Sequence, residues 1–142
     1  MLSKVKAYLL QHDIKPSIQR IAVMNYLLNN RTHPTVDEIF SALEPNMPTL
    51  SKTTVYTTLK LLAEKGAVLQ LTIDEKNVRY DACTEPHAHF ICLGCGCVHD
   101  VVPTHLEKVS IQQYNDLHIV ETQVYYKGYC EPCRNRLNKI DI

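Results

Sequence analysis

Ser51-Lys-Thr-Thr-Val55-Tyr-Thr-Thr-Leu59-Lys-Leu-Leu62-Ala-Glu-Lys65-Gly66 decides the first half of the fold. Serine is a strong helix N-cap and glycine a strong helix terminator, so a helix is expected from Ser51 to Lys65. Val55, Leu59 and Leu62 form an apolar stripe on it. Thr53, Tyr56, Thr57 and Lys60 recur at i, i+3, i+4 and i+7 and form a second face with a ring, hydroxyls and one charge. The chain then alternates: Ala67–Ile73 and Val78–Tyr80 read as a hairpin around Asp74-Glu-Lys-Asn77. A helix followed by a two-stranded wing predicts a winged helix-turn-helix. An ordinary amphipathic surface helix is the competing reading.

Upstream, Ser3 can cap a short helix to about His12, with Val5, Leu9 and Leu10 apolar. Ser17 starts a second helix to about Asn29, with Ile18, Ile21, Ala22 and Leu28 at helical spacing. Arg31-Thr-His33-Pro34 is a loop, because the residue before proline is pushed out of helical geometry. Thr35-x-x-Glu38 is a capping box that opens a third helix with Val36, Ile39, Phe40 and Leu43 on one face. Pro45-Asn-Met-Pro48 breaks it. Tyr56 suits contact with a thymine methyl in the major groove, and Lys15, Lys52 and Lys60 suit phosphates.

Downstream, the pattern changes. Thr84-Glu-Pro86 marks a hinge. His89–Cys92, Cys97–Val101 and Ile119–Tyr126 read as strands, with one helix expected from Thr104 to about Asn115. This half carries Cys92-Leu-Gly-Cys95 and Cys130-Glu-Pro-Cys133, with 34 residues between them. Each C-x-x-C puts two sulfurs on one knuckle, and two knuckles complete a tetrahedral zinc site worth on the order of 10 kcal/mol of folding energy. Two redox dithiols are the alternative, and Cys95-Gly-Cys97 competes as a chelating pair. Cys83 and Cys97 are otherwise expected to be small buried or partly exposed thiols. Asp81, His87, His89 and Asp100 form a second, nitrogen/oxygen set suited to iron or manganese. On residue chemistry alone His33 is a loop histidine beside Pro34, and His12, His99, His105 and His118 are surface residues.

The 142 residues are neutral overall, but the charge is uneven. Residues 1–80 hold ten Lys/Arg and seven Asp/Glu, whereas residues 81–142 hold five and eight. That asymmetry suits an N-terminal half facing nucleic acid and a C-terminal half holding cations. No apolar run reaches transmembrane length and Met1-Leu-Ser-Lys-Val-Lys lacks a signal-peptide pattern, so the cytoplasm is expected. There thiols stay reduced, which favours metal ligation over disulfides. No nucleophile–base–oxyanion set is evident, so enzymatic activity is not expected.

Gln19-Arg20, His33-Pro-Thr-x-x-Glu-Ile-Phe40, Ser51-x-Thr-Thr-Val-Tyr56-x-x-Leu59, Arg79-Tyr-Asp81, His87-x-His89-x-Ile-Cys92-x-x-Cys95-Gly96, Asp100 and Gly128-Tyr-Cys130-x-x-Cys133 follow one another along nearly the whole chain. In this order and spacing the chain resembles the ferric uptake regulator (Fur) family of metal-dependent transcription factors. The resemblance implies an α+β homodimer that binds a double-stranded DNA operator. It implies a winged-helix DNA-binding domain over residues 1–82, a hinge over 83–88, and a dimerisation and metal-binding domain over 89–142. It implies structural zinc on Cys92, Cys95, Cys130 and Cys133. It recruits His33 to a regulatory site with Asp81, His87, His89 and Asp100 that takes Fe(2+) or Mn(2+) and ties the two domains together. The DNA-facing residues it implies are Lys15, Arg20, Ser51, Lys52, Thr54, Tyr56, Thr57 and Lys60.

Aspartate at both 81 and 100 is similar to the peroxide-sensing branch, whereas the ferric-uptake branch usually has glutamate at 81 and often at 100. A further metal site of ferric-uptake members is not reproduced: Pro86, Ala88 and Thr122 stand at its ligand positions, and only Glu107 fits. The expectation is therefore a repressor that senses peroxide through bound ferrous iron, oxidising His33 or His87. Iron-responsive and zinc-responsive repressors are the alternatives within the family, Cys83 being the cysteine near the site. A zinc-binding redox thiol protein is the alternative outside it. The segment Asp13-Ile-Lys15-Pro16-Ser17-Ile18 and the residue Thr57 depart from the family pattern and bear on how bases are read.

Overall fold

The computed structural model describes residues 2–140; Met1, Asp141 and Ile142, at the ends of the expected domains, lie outside the described residues. The chain divides into two compact units, Met1–Thr84 and Glu85–Ile142. The fold is α+β.

The first unit is built by local caps. α1 (Leu2–Gln11) is followed by α2 (Ile18–Asn29), α3 (Val36–Leu43), a short 3-10 turn at Glu44–Asn46 and α4 (Lys52–Glu64). Ser17 Oγ accepts from the Arg20 N–H at 3.2 Å, Thr35 Oγ1 from Glu38 N–H at 3.2 Å, and Ser51 Oγ from Thr54 N–H at 3.1 Å. Each hydroxyl satisfies one of the donors that a helix start leaves open. Gly66, at φ +76°, turns the chain out of α4 in the left-handed region that side chains disfavour. β1 (Leu69–Leu71) and β2 (Arg79–Asp81) then pair antiparallel, with Leu69 opposite Asp81 and Leu71 opposite Arg79. This is the winged helix-turn-helix that the Ser51–Gly66 stretch predicts.

Val55, Leu59 and Leu62 of α4 are fully buried against Val23, Met24 and Ile39 of α2 and α3. Each such side chain contributes about 1.5–3 kcal/mol by leaving water. α2 corrects one expectation. Its buried residues are Val23, Met24 and Leu27, whereas Ile18 is 78% exposed and Ile21, Ala22 and Leu28 are only partly covered. The helix is apolar on more than one side, and its neighbours α1, α3 and α4 select the buried side.

In the second unit, β3 (Ala88–Cys92) is central in a three-stranded sheet of order β4-β3-β7. It pairs antiparallel with β4 (Val98–Val101) and parallel with β7 (Tyr125–Gly128). A parallel neighbour needs a long crossover, and here the crossover contains no α-helix. The helix expected from Thr104 to Asn115 is replaced by a 3-10 turn, Leu106–Lys108, and a hairpin of β5 (Gln113–Tyr114) and β6 (Leu117–His118). His105 at φ +72° blocks a helical start, and Asn115 at φ +52° sits in a two-residue turn of the kind that closes hairpins. The strand expected over Ile119–Tyr126 is also displaced. Its pairing with β3 begins at Tyr125, with the Val124 carbonyl accepting from the His89 N–H at 3.0 Å just before it, while Ile119 N–H bonds back to the Gln112 carbonyl beside the hairpin. α5 (Glu131–Ile140), which the apolar pattern does not reveal, opens with Glu131-Pro132 in its first turn.

Val102, Tyr114, Leu117 and Val120 of the second unit are all at least 60% exposed, Val120 fully. Among the described residues no helix is long and apolar enough to cross a membrane. Ser51→Ala is expected to lower stability by about 1 kcal/mol and Ser51→Gly by only a few tenths, read as the shift of the denaturant midpoint of the winged-helix transition.

Candidate metal centres and nucleic-acid face

The sulfur cluster is assembled from a strand end and a helix start. Cys92 closes β3, Cys95 follows in the turn, and Cys130 immediately precedes α5, whose first turn carries Cys133. Their four sulfurs lie within 4.8 Å of one another. Cys92 Sγ stands 3.6 Å from Cys130 Sγ, and Cys95 Sγ 3.9 Å from the same sulfur. A tetrahedral ion with metal–sulfur bonds of about 2.3 Å sets its ligands about 3.8 Å apart, so the separations fit zinc. Cys97 is exposed and stands outside this group.

The backbone prepares one sulfur to be a thiolate. Cys92 Sγ accepts from the N–H groups of Cys130 at 3.4 Å, Cys95 at 3.4 Å and Gly94 at 3.3 Å. These donors, that of Cys130 first, pull the Cys92 thiol down to about 5. Cys130 moves the other way. The Cys133 N–H lowers it, but the Cys133 thiol, burial, and the thiols of Cys92 and Cys95 together push it up to about 12. The first charge in the cluster therefore holds the next proton in place, and a divalent cation is what allows all four sulfurs to ionise.

Two further residues serve this cluster without carrying a sulfur. A Cβ on Gly94 would lie 2.8 Å from Cys133 Sγ and 2.9 Å from its Cβ, so the knuckle closes only around glycine. Arg136 Nη2 donates to Cys133 Sγ at 2.8 Å. The i, i+3 spacing of Cys133 and Arg136 on one helix is the sequence signal for that contact. Burial and the two knuckles account for the pairing of Cys92 with Cys133 as inner, covered ligands, while Cys95 is exposed.

The hard donors form one group in each unit. In the first, His33 Nε2 lies 3.5 Å from Asp81 Oδ2, and both side chains are buried. The loop that carries His33 is fastened to β2: Tyr80 N–H donates to the Pro34 carbonyl at 3.0 Å and Arg79 Nη1 to the His33 carbonyl at 3.0 Å. Asp81 Oδ1 accepts from Cys83 N–H at 2.9 Å, leaving Oδ2 toward the imidazole. His33 lies in the loop before α3, as its place beside Pro34 suggests, but it is buried there.

In the second unit, His89 on β3 lies opposite Asp100 on β4. Asp100 Oδ1 meets His87 Nε2 at 3.3 Å and His89 Nε2 at 3.4 Å. The His87 and His89 rings stand 4.4 Å apart, as an H-x-H placed on one side of a strand predicts. His87 Nδ1 lies 2.6 Å from the Glu85 carbonyl, which can only accept, so Nδ1 carries a hydrogen toward it while Nε2 faces Asp100. Two imidazole nitrogens facing one carboxylate oxygen require a cation between them, either a ring proton or a metal.

The DNA-facing set sorts into exposed contacts and helix-start residues. Tyr56, Thr57 and Lys60 are exposed along α4, as is Thr53, and Tyr56 is 52% accessible. Ser51 and Thr54 bond each other at 2.9 Å while Ser51 caps the helix. Thr57 Oγ1 bonds back to the Thr54 carbonyl. Lys52 pairs with Asp37 at 3.3 Å and lies over the Phe40 ring. Lys15 is exposed, and its carbonyl accepts from Arg20 Nη1 at 2.8 Å. Between α4, the start of α3 and the wing lies a groove of about 320 Å³ reached by Tyr56, Lys60, Gln70 and Asn77.

Thiol knuckles, paired imidazoles and carboxylates, and a winged helix with an open polar face place the chain among metal-responsive transcriptional regulators rather than enzymes. Residues 11–127 match the Ferric uptake regulator family, and the chain belongs to that family. It is 33% identical over 132 residues to the peroxide-responsive repressor PerR of Staphylococcus aureus, spanning 92% of this chain and 89% of that protein. The fold is shared with the Helicobacter pylori ferric uptake regulator Fur, described as having three functional metal binding sites (TM-score 0.74, 22% identity, 94% of each chain). It is shared also with PerR from Streptococcus pyogenes (TM-score 0.52, 27% identity, 93% of this chain and 92% of that one).

Gly94→Ala is expected to displace Cys133 and weaken zinc retention about tenfold or more, measured by competition with a chromogenic chelator. Gly96→Ala, where a Cβ meets nothing within 4 Å but φ is +79°, should act through the backbone alone and lose less zinc.

Proposed function

We propose that the chain is a homodimeric repressor that binds an operator in double-stranded DNA while metal-loaded and releases it when peroxide destroys its regulatory site. The carrying observation is the hard donor set of His33, Asp81, His87, His89 and Asp100, with aspartate at both carboxylate positions, in a chain one-third identical to a peroxide-responsive repressor. Zinc occupies Cys92, Cys95, Cys130 and Cys133 permanently, because thiolates hold it tightly and close its coordination. Iron or manganese occupies the imidazole–carboxylate set, where binding is weak enough to exchange. His33 and Asp81 contribute from the first unit, and His87, His89 and Asp100 from the second.

Held by these residues, ferrous iron would supply the redox chemistry that activates peroxide. In the net change one peroxide oxygen enters a ring C–H bond of His33 or His87, the imidazole giving up the two electrons, and the other oxygen leaves as water. An oxidised imidazole is a poorer ligand, so the metal-loaded population falls and with it the DNA-binding conformation. Exposed Thr53, Tyr56, Thr57 and Lys60 on α4 meet the major groove. The exposed apolar side chains of the second unit, Val102, Tyr114, Leu117 and Val120 among them, are a surface of the kind that a second copy covers. A cytoplasmic setting keeps the six thiols reduced.

Mass spectrometry after mild peroxide tests the sensing chemistry. With iron loaded, the peptide carrying His33 or His87 should gain one oxygen; with manganese loaded it should not. Oxidised cysteines with intact histidines in both samples would make the protein a thiol switch.

DNA docking has its own test, on duplexes selected by the manganese-loaded protein. Tyr56→Ala should weaken binding to selected DNA more than to random DNA. Lys60→Ala should weaken both and reduce the salt slope by about one. Equal losses on both DNAs for Tyr56→Ala would place α4 away from the bases.

A further inference from the structure

Arg79 makes three contacts within the first unit that the functional reading above does not use. It begins β2, two residues before Asp81, so the two side chains share a face of the strand. Its Nη1 donates to the His33 carbonyl at 3.0 Å and its Nε to Asp74 Oδ2 at 3.1 Å. The third contact, Nη1 to Glu38 Oε1, is long at 3.8 Å, and that carboxylate is half exposed, so it adds little. The Arg79 and Asp74 side chains are only 17% and 15% exposed, which shields their bond from water.

Asp74 is the first residue of the turn Asp74-Glu-Lys-Asn77 that joins the two wing strands. Its other oxygen, Oδ1, accepts from the Lys76 N–H at 2.9 Å, so the same carboxylate that holds Arg79 also shapes the turn. At the opposite end of the guanidinium, His33 has a left-handed backbone, φ +56°, unusual for a residue with a side chain. Such a backbone persists only where its surroundings hold it. Here the holders are the Arg79 bond to the His33 carbonyl and the Tyr80 N–H bond to the Pro34 carbonyl. A planar, two-pronged guanidinium ties a strained imidazole donor to the wing turn in one rigid step, which a lysine cannot do.

We propose that Arg79 is the positioning residue that carries metal occupancy at His33 and Asp81 to the wing turn Asp74–Asn77. The inference rests on the reading that His33 and Asp81 hold the regulatory metal. Fixing the His33 imidazole fixes its carbonyl, which fixes the guanidinium and with it the Asp74 carboxylate and the turn. Coupling of this kind is reciprocal, so ordering the turn against DNA strengthens metal binding by the same factor.

Hydrogen exchange on the zinc-loaded, full-length protein with saturating manganese tests the link. In the parent, manganese should slow exchange in the peptide spanning Asp74–Asn77 by about fivefold or more. In Arg79→Ala at saturating manganese, the His33 peptide should still be slowed and the wing peptide should not. Arg79→Lys, which keeps the charge but not the fork, should behave as Arg79→Ala does, and it decides the matter if Arg79→Ala does not fold. Equal wing protection in parent and variant, or no wing protection in the parent, overturns the proposal. His33→Ala separates this from the underlying reading. Manganese affinity undiminished in that variant would remove the metal from His33 altogether, whereas loss of affinity with wing protection intact in Arg79→Ala would remove only Arg79 from the path.

Discussion

Four sulfurs held within 4.8 Å of one another cannot all carry charge unless a cation sits among them. That constraint organises the second unit. Its sheet is three short strands, its crossover has no α-helix, and many of its apolar side chains face outward. A core this thin gains little from burial alone, and units of this size use a metal to close the fold. The knuckle after β3 and the start of α5 meet at the sulfurs, so a metal held there would fasten the C-terminal helix to the central strand. Gly94 and Arg136 show how closely the chain is fitted to that meeting, one by leaving space for Cys133 and the other by donating to its sulfur.

The imidazole and carboxylate donors answer to the opposite requirement. On the proposed function they would bind an ion strongly enough to be occupied and weakly enough to lose it. Their local architecture supplies orientation without sulfur. A carbonyl fixes the tautomer of His87, a backbone N–H turns the Asp81 carboxylate, and β2 clamps the loop that bears His33. The proposed function thus divides permanence and exchange by ligand chemistry within a single chain, so that the fold would persist while the signal comes and goes.

The differences between the sequence expectations and the structure have two causes. Leu106 and Val109 are spaced like one face of a helix, yet the left-handed His105 and the Asn115-Asp116 turn direct that stretch into a hairpin. Ile119–Gln123 has strand composition but does not belong to the three-stranded sheet; the pairing with β3 begins at Tyr125, just after the Val124 carbonyl accepts from the His89 N–H. α2 is apolar on several sides, so spacing could not say which of them its neighbours would cover. The Asn-Asp pair was a legible turn signal, and Glu131-Pro132 was a legible helix start; the positions of β7 and of the buried side of α2 were not legible, because both are set by partners distant in sequence.

What the sequence determined by itself is whatever one or two turns of chain can decide. Ser17, Thr35 and Ser51 cap helices through bonds three residues long, Gly66 ends one through its own backbone freedom, and each C-x-x-C makes its own knuckle. Donor hardness, a property of residue type, already separated a sulfur site from a nitrogen/oxygen one. Only the tertiary structure decided that His33 is a buried partner of Asp81, 48 residues further along the chain, and that Arg79 ties the His33 carbonyl to Asp74 of the wing turn. No periodicity encodes that meeting, because it depends on where β2 lies against the loop before α3, and that is fixed by the packing of the whole winged-helix core.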